Sequence, residues 1–339
     1  MVRLASIADR RARSSNLLLA SVQFSTLNDY VRSIQTFVAW CEPRNFKADL
    51  SLPELDLLIA TYFQHQFLAY KGSRFKLYND LPSAIATFIP QWRGHFPIAS
   101  RCLKGWRKLV PSESYPPLTW DLACLIACEL ARAGQSRLAV GVVLSFDCLL
   151  RVNELMELKA GDVMLAGDLR LGAVPTEARL GKTGYTGVAL RIRAAKTGTN
   201  QFVAVRDERV ARLLALAVRG LPDDAYIFPA KRVDRGAAFR YYFKSALKRL
   251  GLDERFVPHS LRHGGATFLA NIGVPLADIA YRGRWKSFAS AAHYVQIGRA
   301  LLATTKVAAN LRQAAAVLSQ DIYKAVTLAQ INRRLGWAL

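Results

Sequence analysis

PHSLRHGGATFLANIGVPLADIAYRGRWKSFASAAHYV, residues 258–295, decides the reading of this 339-residue chain. Pro258 and the polar residues after it predict a helix start, and Gly273 predicts its end. Leu261, Phe268, Leu269 and Ile272 form the expected buried stripe of that helix. His259 and Arg262 are three residues apart, so they leave the helix on a shared face. They sit in its first turn, where free backbone N–H groups and the helix dipole favour an anion. The arginine adds a planar fork of donors that suits phosphate oxygens. Together they make a phosphate site. Pro275 to Arg282 reads as a short second helix closed by Gly283. Trp285 follows, and Ser287 is the candidate N-cap of a helix that displays Tyr294.

Upstream, helices are predicted at 119–133 and 136–150. The stretch LSFDCLLRVNELMEL (144–158) reads as a buried helix ending in Arg151, with Glu154 three residues on. A strand-like region lies near Asp162–Leu171. GVALRIRAAKTGTNQFVAV (187–205) then reads as a hairpin. Val188, Leu190 and Ile192 alternate with Arg191 and Arg193, Gly198 marks the turn, and Phe202 to Val205 return. Lys196 falls at that turn, and Lys182 lies in the preceding ARLGKTGYTG. The pattern is helical from there to the end. In AAFRYYFKSALKRLGL (237–252), Arg240, Lys244 and Lys248 form one stripe, and Phe243, Leu247 and Leu250 another. Late in the chain, Ile322, Val326 and Ala329 form an apolar stripe.

The first third reads as four short helices. Thr26 and Asp29 have capping-box spacing ahead of Tyr30, Ile34, Phe37, Val38 and Cys41. LPELDLLIATYFQHQFLAY carries Pro53 near its first turn. DLPSAIATFIPQWRG must bend or stop at Pro90. PIASRCLKGWRKLV crowds Arg101, Lys104, Arg107 and Lys108 around Trp106, a candidate DNA-backbone face. PSESYPPLTW (111–120) reads as a linker. The expected organisation is a basic segment at 1–20, a helical DNA-binding domain at 21–110, the linker at 111–120, a second domain at 121–317 and a C-terminal helix at 318–339. The space before Thr26 is too short for a further DNA-binding domain, and the basic start carries too short an apolar run for a secretion signal.

Lys and Arg number 47 against 25 Asp and Glu, a formal charge of +22. Apolar residues make up 52% and charged residues 21%, which excludes a mainly disordered chain. The charge demands an anionic partner, and nucleic acid is the commonest. Both halves of the chain are basic, so a protein that surrounds its polyanion fits better than one with a single patch. Five cysteines with no CxxC predict a reducing, intracellular compartment and no disulfide framework. Cys124 and Cys128 read as an apolar helix face. No apolar run reaches membrane-spanning length. There is no HExxH motif and no clustered-carboxylate metal motif.

With these residues in order, the sequence resembles the tyrosine recombinases of the phage integrase family. H-x-L-R-H at 259–263, Trp285 23 residues after Arg262 and Tyr294 nine residues after the tryptophan look like the family's active-site signature, with tryptophan in the place of the more frequent histidine, as in Cre-like members. Arg-x-x-Glu-Leu at 151–155 looks like its first catalytic box, and Lys196 like its hairpin lysine. The resemblance is strong over about 140–300 and rests on architecture over 20–115.

The resemblance implies a mainly α fold with a small antiparallel β-sheet. It implies a helical, SAM-like core-binding domain followed by a catalytic domain, the two forming a C-shaped DNA clamp. Tyr294 would be the nucleophile, giving a 3′-phosphotyrosine and a free 5′-hydroxyl without ATP or metal. Arg151 and Arg262 would clamp the non-bridging oxygens, and His259 and Trp285 would donate hydrogen bonds there. Lys196 would be the general acid, with Lys182 a rival, and Glu154 and His263 would support. Arg101, Lys104, Lys108, Arg240, Lys244 and Lys248 are the backbone-contact candidates. No cofactor is expected. The expected partner is a double-stranded DNA site bound by two protomers, four assembling for exchange, with the C-terminal helix packing on a neighbour. A type IB topoisomerase and a DNA-binding protein that has lost catalysis are the competing readings.

Overall fold

Ser51 opens an 18-residue helix of the N-terminal region through a capping box, its backbone N–H donating to Glu54 Oε2 at 2.8 Å. That helix is α2 (Leu52–Ala69), preceded by α1 (Phe24–Cys41) and followed by α3 (Leu81–Phe88) and α4 (Pro97–Leu109). They belong to a computed structural model that describes residues 17–44, 49–111, 114–165, 186–195, 198–228 and 235–334. The chain divides into two compact units, Met1–Glu113 and Ser114–Leu339.

In the first unit the four predicted helices form, with one correction at the start. Thr26 and Asp29 do not cap α1, because the helix already begins at Phe24 with Gln23 as its N-cap. Pro90 does stop α3, and a single 3₁₀ turn (Pro90–Trp92) follows. Phe37, Trp40, Tyr62, Phe63, Tyr78 and Trp106 fill the core. Asp56, buried on α2, accepts the N–H groups of Ile98 and Ala99 at 2.9 Å each. A carboxylate on the orphan donors of a helix N-terminus docks α4 against α2. As α4 buries Ala99, Leu103 and Trp106 inward, Arg101, Lys104 and Lys108 are left exposed.

The second unit is built around α5 (Trp120–Arg132), whose Thr119 N-cap accepts from the Leu122 N–H. The helices α6 (Ser136–Asp147), α14 (Ala309–Gln320) and α15 (Ile322–Arg334) pack on it. Cys124 and Cys128 are buried free thiols on α5. A three-stranded antiparallel sheet in the order β1 (Val163–Met164), β2 (Ala189–Ala195), β3 (Gly198–Ala204) lies beside them. Val188, Leu190 and Ile192 face the core, as their alternation requires, whereas Arg191 and Arg193 reach Asp162 at 3.0 and 2.7 Å. The remaining elements are α7 (Val152–Met156), α8 (Glu208–Val218), α9 (Arg235–Arg249), α10 (Pro258–Asn271), α11 (Leu276–Gly283), α12 (Phe288–Ala292) and α13 (Ile297–Thr305). The chain is therefore mainly helical with one small antiparallel sheet. Among the described residues no helix is long and apolar enough to cross a membrane.

Three details refine the pattern read in the sequence. Phe268 and Ile272, placed in the buried stripe of α10, are 42% and 53% exposed, because this helix is covered mainly over its first three turns. For the Ile322, Val326, Ala329 stripe the sequence leaves two packings open, on a neighbouring protomer or on its own domain; it is buried within its own unit against α5 and α8. The predicted linker is also shorter than its composition suggests. Leu118 is buried and donates its N–H to the Ser260 carbonyl at 3.1 Å, so the residues from Ser114 onward belong to the second unit.

Candidate active site

The site begins with a backbone break. The apolar helix predicted to run through residue 150 stops at Asp147, and Leu149 takes a left-handed conformation at φ 51°. Arg151 therefore does not end that helix. It is the N-cap of α7, half-exposed, with its backbone N–H on Glu154 Oε2 at 2.9 Å and its guanidinium on Glu154 Oε1 at 2.5 Å. The turn points the Leu149 carbonyl at the site, where it accepts hydrogen bonds from both Arg262 and Arg284.

Helix α10 supplies His259, Arg262 and His263. It can lie close to α6 because Gly264 and Gly265 have no side chains. A Cβ on Gly265 would sit 2.1 Å from the Phe146 carbonyl oxygen, and one on Gly264 1.9 Å from that of Leu118. Arg262 is fully buried and donates to the backbone carbonyls of Leu149 and Gly283. Its guanidinium lies 4.3 Å from the Trp285 ring centroid and 5.4 Å from that of Tyr294. Burial first, then the nearby Arg151 and Arg284, pushes it down to about 9, so it stays cationic at pH 7.

The tyrosine and tryptophan come from the turn-rich segment after α10. Ser287 caps α12 by accepting from the Ser290 N–H, as predicted. The helix ends at Ala292, so Tyr294 sits two residues beyond it instead of on it. Its backbone is held by Ala291 and by the Thr267 hydroxyl, which donates to the Tyr294 carbonyl at 3.2 Å. The Tyr294 hydroxyl lies 3.0 Å from His259 Nε2. His263 stacks on the phenol with ring centroids 4.3 Å apart, and Trp285 lies 4.6 Å away on centroids. Gly283 leaves room for that indole, since a Cβ there would meet the Trp285 ring at 1.8 Å. The buried Trp285 Nε1 has no partner among the described residues.

Burial, followed by the charges of Arg262 and Arg151, lowers His259 to about 4. Burial and the neighbouring His259 and His293 lower His263 to about 3. Both rings are thus neutral at pH 7. Burial pushes the Glu154 carboxyl up, but Arg284 and the Arg151 donors outweigh it and hold the group below the usual carboxylate range. The cluster gathers cations, an orphan indole donor and a phenol whose oxygen faces a neutral imidazole. That is the equipment for attack on a phosphodiester.

Arg151, Glu154, His259, Arg262, His263, Trp285 and Tyr294 come together within the second unit. Lys196 and Lys182 lie outside the described residues; β2 ends at Ala195 and β3 begins at Gly198. Of the basic candidates on α9, Lys248 is exposed, Arg240 is exposed and Lys244 pairs with Glu254 at 3.1 Å. Four neighbours were not singled out from the sequence. Tyr115 meets the His259 ring edge-on, with centroids 6.2 Å apart. Thr267 and Gln296 frame the tyrosine turn. Arg284, buried, joins Glu154 at 2.8 Å. Its only sequence signal is an arginine next to Trp285 in a glycine-containing turn. Among the described residues no group of His, Cys, Asp or Glu is disposed to hold a metal ion.

The family model for the phage integrase family matches residues 125–299. No curated protein sequence matches the chain. Among solved structures, a lambda integrase dimer bound to a COC′ core site aligns over 87% of this chain and 77% of its own, at 18% identity and a TM-score of 0.52. The Tn1549 transposon integrase (residues 82–397) in complex with circular intermediate DNA aligns over 80% and 99%, at 16% identity and a TM-score of 0.48. The XerA recombinase aligns over 90% and 98%, at 18% identity and a TM-score of 0.40.

Proposed function

The chain belongs to the phage integrase family, and on that premise we propose that it is a site-specific tyrosine recombinase that cuts and rejoins duplex DNA through a 3′-phosphotyrosine intermediate. The observation that carries the reading is the meeting of the Tyr294 hydroxyl with His259 at 3.0 Å beside Arg151, Arg262 and Trp285. Tyr294 Oη forms a bond to phosphorus, and the bond from phosphorus to the 5′-oxygen breaks. His259, neutral through burial and 3.0 Å from the hydroxyl, takes the phenolic proton in this reading. Arg151 and Arg262 stabilise charge building on the non-bridging oxygens, and the orphan Trp285 N–H gains an acceptor there. Lys196 protonates the departing 5′-oxygen, and Glu154 and His263 hold Arg151 and Tyr294 in place. Because the phosphotyrosine keeps the energy of the broken bond, rejoining needs no ATP.

The domain assignment belongs to the same reading: residues 21–110 bind DNA, 121–317 carry catalysis, and 318–339 contribute a terminal helix. The exposed cations of α4 and α9 contact DNA phosphates. The lambda integrase neighbour is a dimer on its core site. For this chain too, two protomers occupy one duplex site, and four assemble for exchange.

The test is covalent trapping. Purified protein is mixed with nicked genomic fragments in EDTA and denatured in SDS, and the attached DNA is sequenced, with Tyr294→Phe alongside. An adduct in the wild type alone, on fragments sharing one motif, is the expected result. An adduct on scattered sequences would instead indicate topoisomerase activity, and no adduct from DNA-binding protein would indicate an inert binder. In the same assay, replacing the 5′-bridging oxygen of a trapped site by sulfur removes the need for a general acid. Lys196→Ala should recover cleavage on that substrate, and Lys182→Ala should not need it.

A further inference from the structure

Arg284 is a buried cation beside the reaction centre with no part in the mechanism just described. Its backbone is left-handed, φ 56° and ψ 42°, a conformation that suits glycine and strains an arginine. The side chain is buried and its contacts are specific. It donates to Glu154 Oε2 at 2.8 Å, to the Leu149 carbonyl at 3.1 Å, to the Arg282 carbonyl at 3.0 Å and to the Cys148 carbonyl at 3.4 Å. Three of these four acceptors, Cys148, Leu149 and Glu154, belong to the turn that presents Arg151. The Leu149 carbonyl is shared with Arg262, and the Glu154 carboxylate with Arg151. Leu149 is itself left-handed, at φ 51°. Two strained non-glycine residues, one on each side of the site, are therefore held together by a single guanidinium. Strain of this kind persists only where the surroundings over-determine it.

We propose that Arg284 is a positioning residue for strand transfer: it ties the Trp285 turn to the Arg151 turn through Glu154 and the Leu149 carbonyl, and so sets the separation of the two clamping arginines. This inference rests on the recombinase reading above. A lysine cannot replace it, because one ammonium cannot reach a carboxylate and three carbonyls in a planar fork. Glu154 is then the shared hinge: Oε1 accepts from the Arg151 guanidinium, and Oε2 accepts from both the Arg151 backbone N–H and Arg284.

The experiment measures the rate of SDS-stable adduct formation on the same nicked genomic fragments, together with DNA affinity and thermal unfolding. The chains compared are wild type, Arg284→Lys, Arg284→Gly, Glu154→Gln and the Arg284→Lys/Glu154→Gln double variant. Arg284→Gly accepts the left-handed backbone, so a loss there is not a backbone effect. Both Arg284 variants should lose roughly 10²-fold in adduct rate, the scale of a small misplacement of catalytic groups. Their DNA affinity should stay within about threefold of wild type, since the guanidinium is buried away from DNA. The double variant should be no slower than the slower single one, because both act through one connection. A wild-type adduct rate retained in Arg284→Lys and Arg284→Gly overturns the proposal and leaves the recombinase reading standing. Losses that multiply in the double variant, or that track a fall in affinity and unfolding temperature, overturn it as well. No adduct from wild type removes the recombinase reading first, and this proposal with it.

Discussion

Burial keeps His259 and His263 neutral at pH 7, and this sets how the protein responds to acid. In the unfolded chain both histidines titrate near 6.5, whereas in the folded protein they do so near 4 and 3. Between those values the unfolded state binds more protons than the native one. Stability is therefore full above pH 6.5 and falls as the pH drops towards 4. The unfolding temperature should decrease from pH 7.5 to pH 5, and the decrease should be smaller in His263→Asn, as read by circular dichroism melts at each pH. An equal decrease in wild type and variant would show that the ring does not titrate as its burial implies. A DNA phosphate beside His259 opposes the lowering, since an anion favours the protonated ring. The residue scale was also the most legible in the sequence. The spacing of His259, Arg262, Trp285 and Tyr294 marked them because chemistry restricts those positions to few side-chain types. Arg284 carries no such mark, because its contacts depend on a backbone angle and on Cys148, Leu149 and Glu154, all remote in sequence.

At the scale of elements, the close crossing of α6 and α10 determines where Arg262 and His259 sit. Gly265 permits it, with the Phe146 carbonyl lying where a side chain would begin. Gly265→Ala should destabilise the protein by about 1–3 kcal/mol, the usual range for overpacking a well-fitted contact. It should also slow adduct formation, because α10 carries three residues of the cluster and must shift. Urea denaturation checks the first and the trapping assay the second. A variant as stable and as fast as wild type would mean that the helices separate at no cost. The helices themselves were readable from their periodicity and caps, as with Ser51 and Ser287. The break after Asp147 was not, because Cys148, Leu149 and Leu150 continue the apolar pattern and no glycine marks the left-handed position at Leu149. Propensity describes a residue's average preference, and here tertiary contacts from Arg262 and Arg284 to the Leu149 carbonyl outweigh it.

For the whole molecule the governing quantity is its charge of +22. Binding to a polyanion releases counterions, so affinity should fall linearly with the logarithm of salt concentration. If Lys104 and Lys108, exposed on α4, each neutralise one phosphate, replacing both by alanine should flatten that slope by roughly 0.9 per contact. Fluorescence anisotropy on one duplex at four salt concentrations measures it. An unchanged slope would place the DNA elsewhere. The same substitutions should leave the unfolding temperature nearly unchanged, since exposed charges far from partners contribute little.

The sequence alone was sufficient for the mainly helical class, the basic charge and most of the residues that meet in the candidate cluster, because hydrophobic period, net charge and short-range spacing are local properties of the chain. Only the tertiary structure showed that Arg151 opens a helix instead of closing one, that Arg262 is buried against backbone carbonyls, that the Ile322, Val326, Ala329 stripe is covered by its own unit and that Arg284 joins both turns. Apart from the Arg151 cap, each of these depends on contacts between residues remote in sequence, and no local pattern encodes which distant carbonyl or carboxylate a buried side chain will meet.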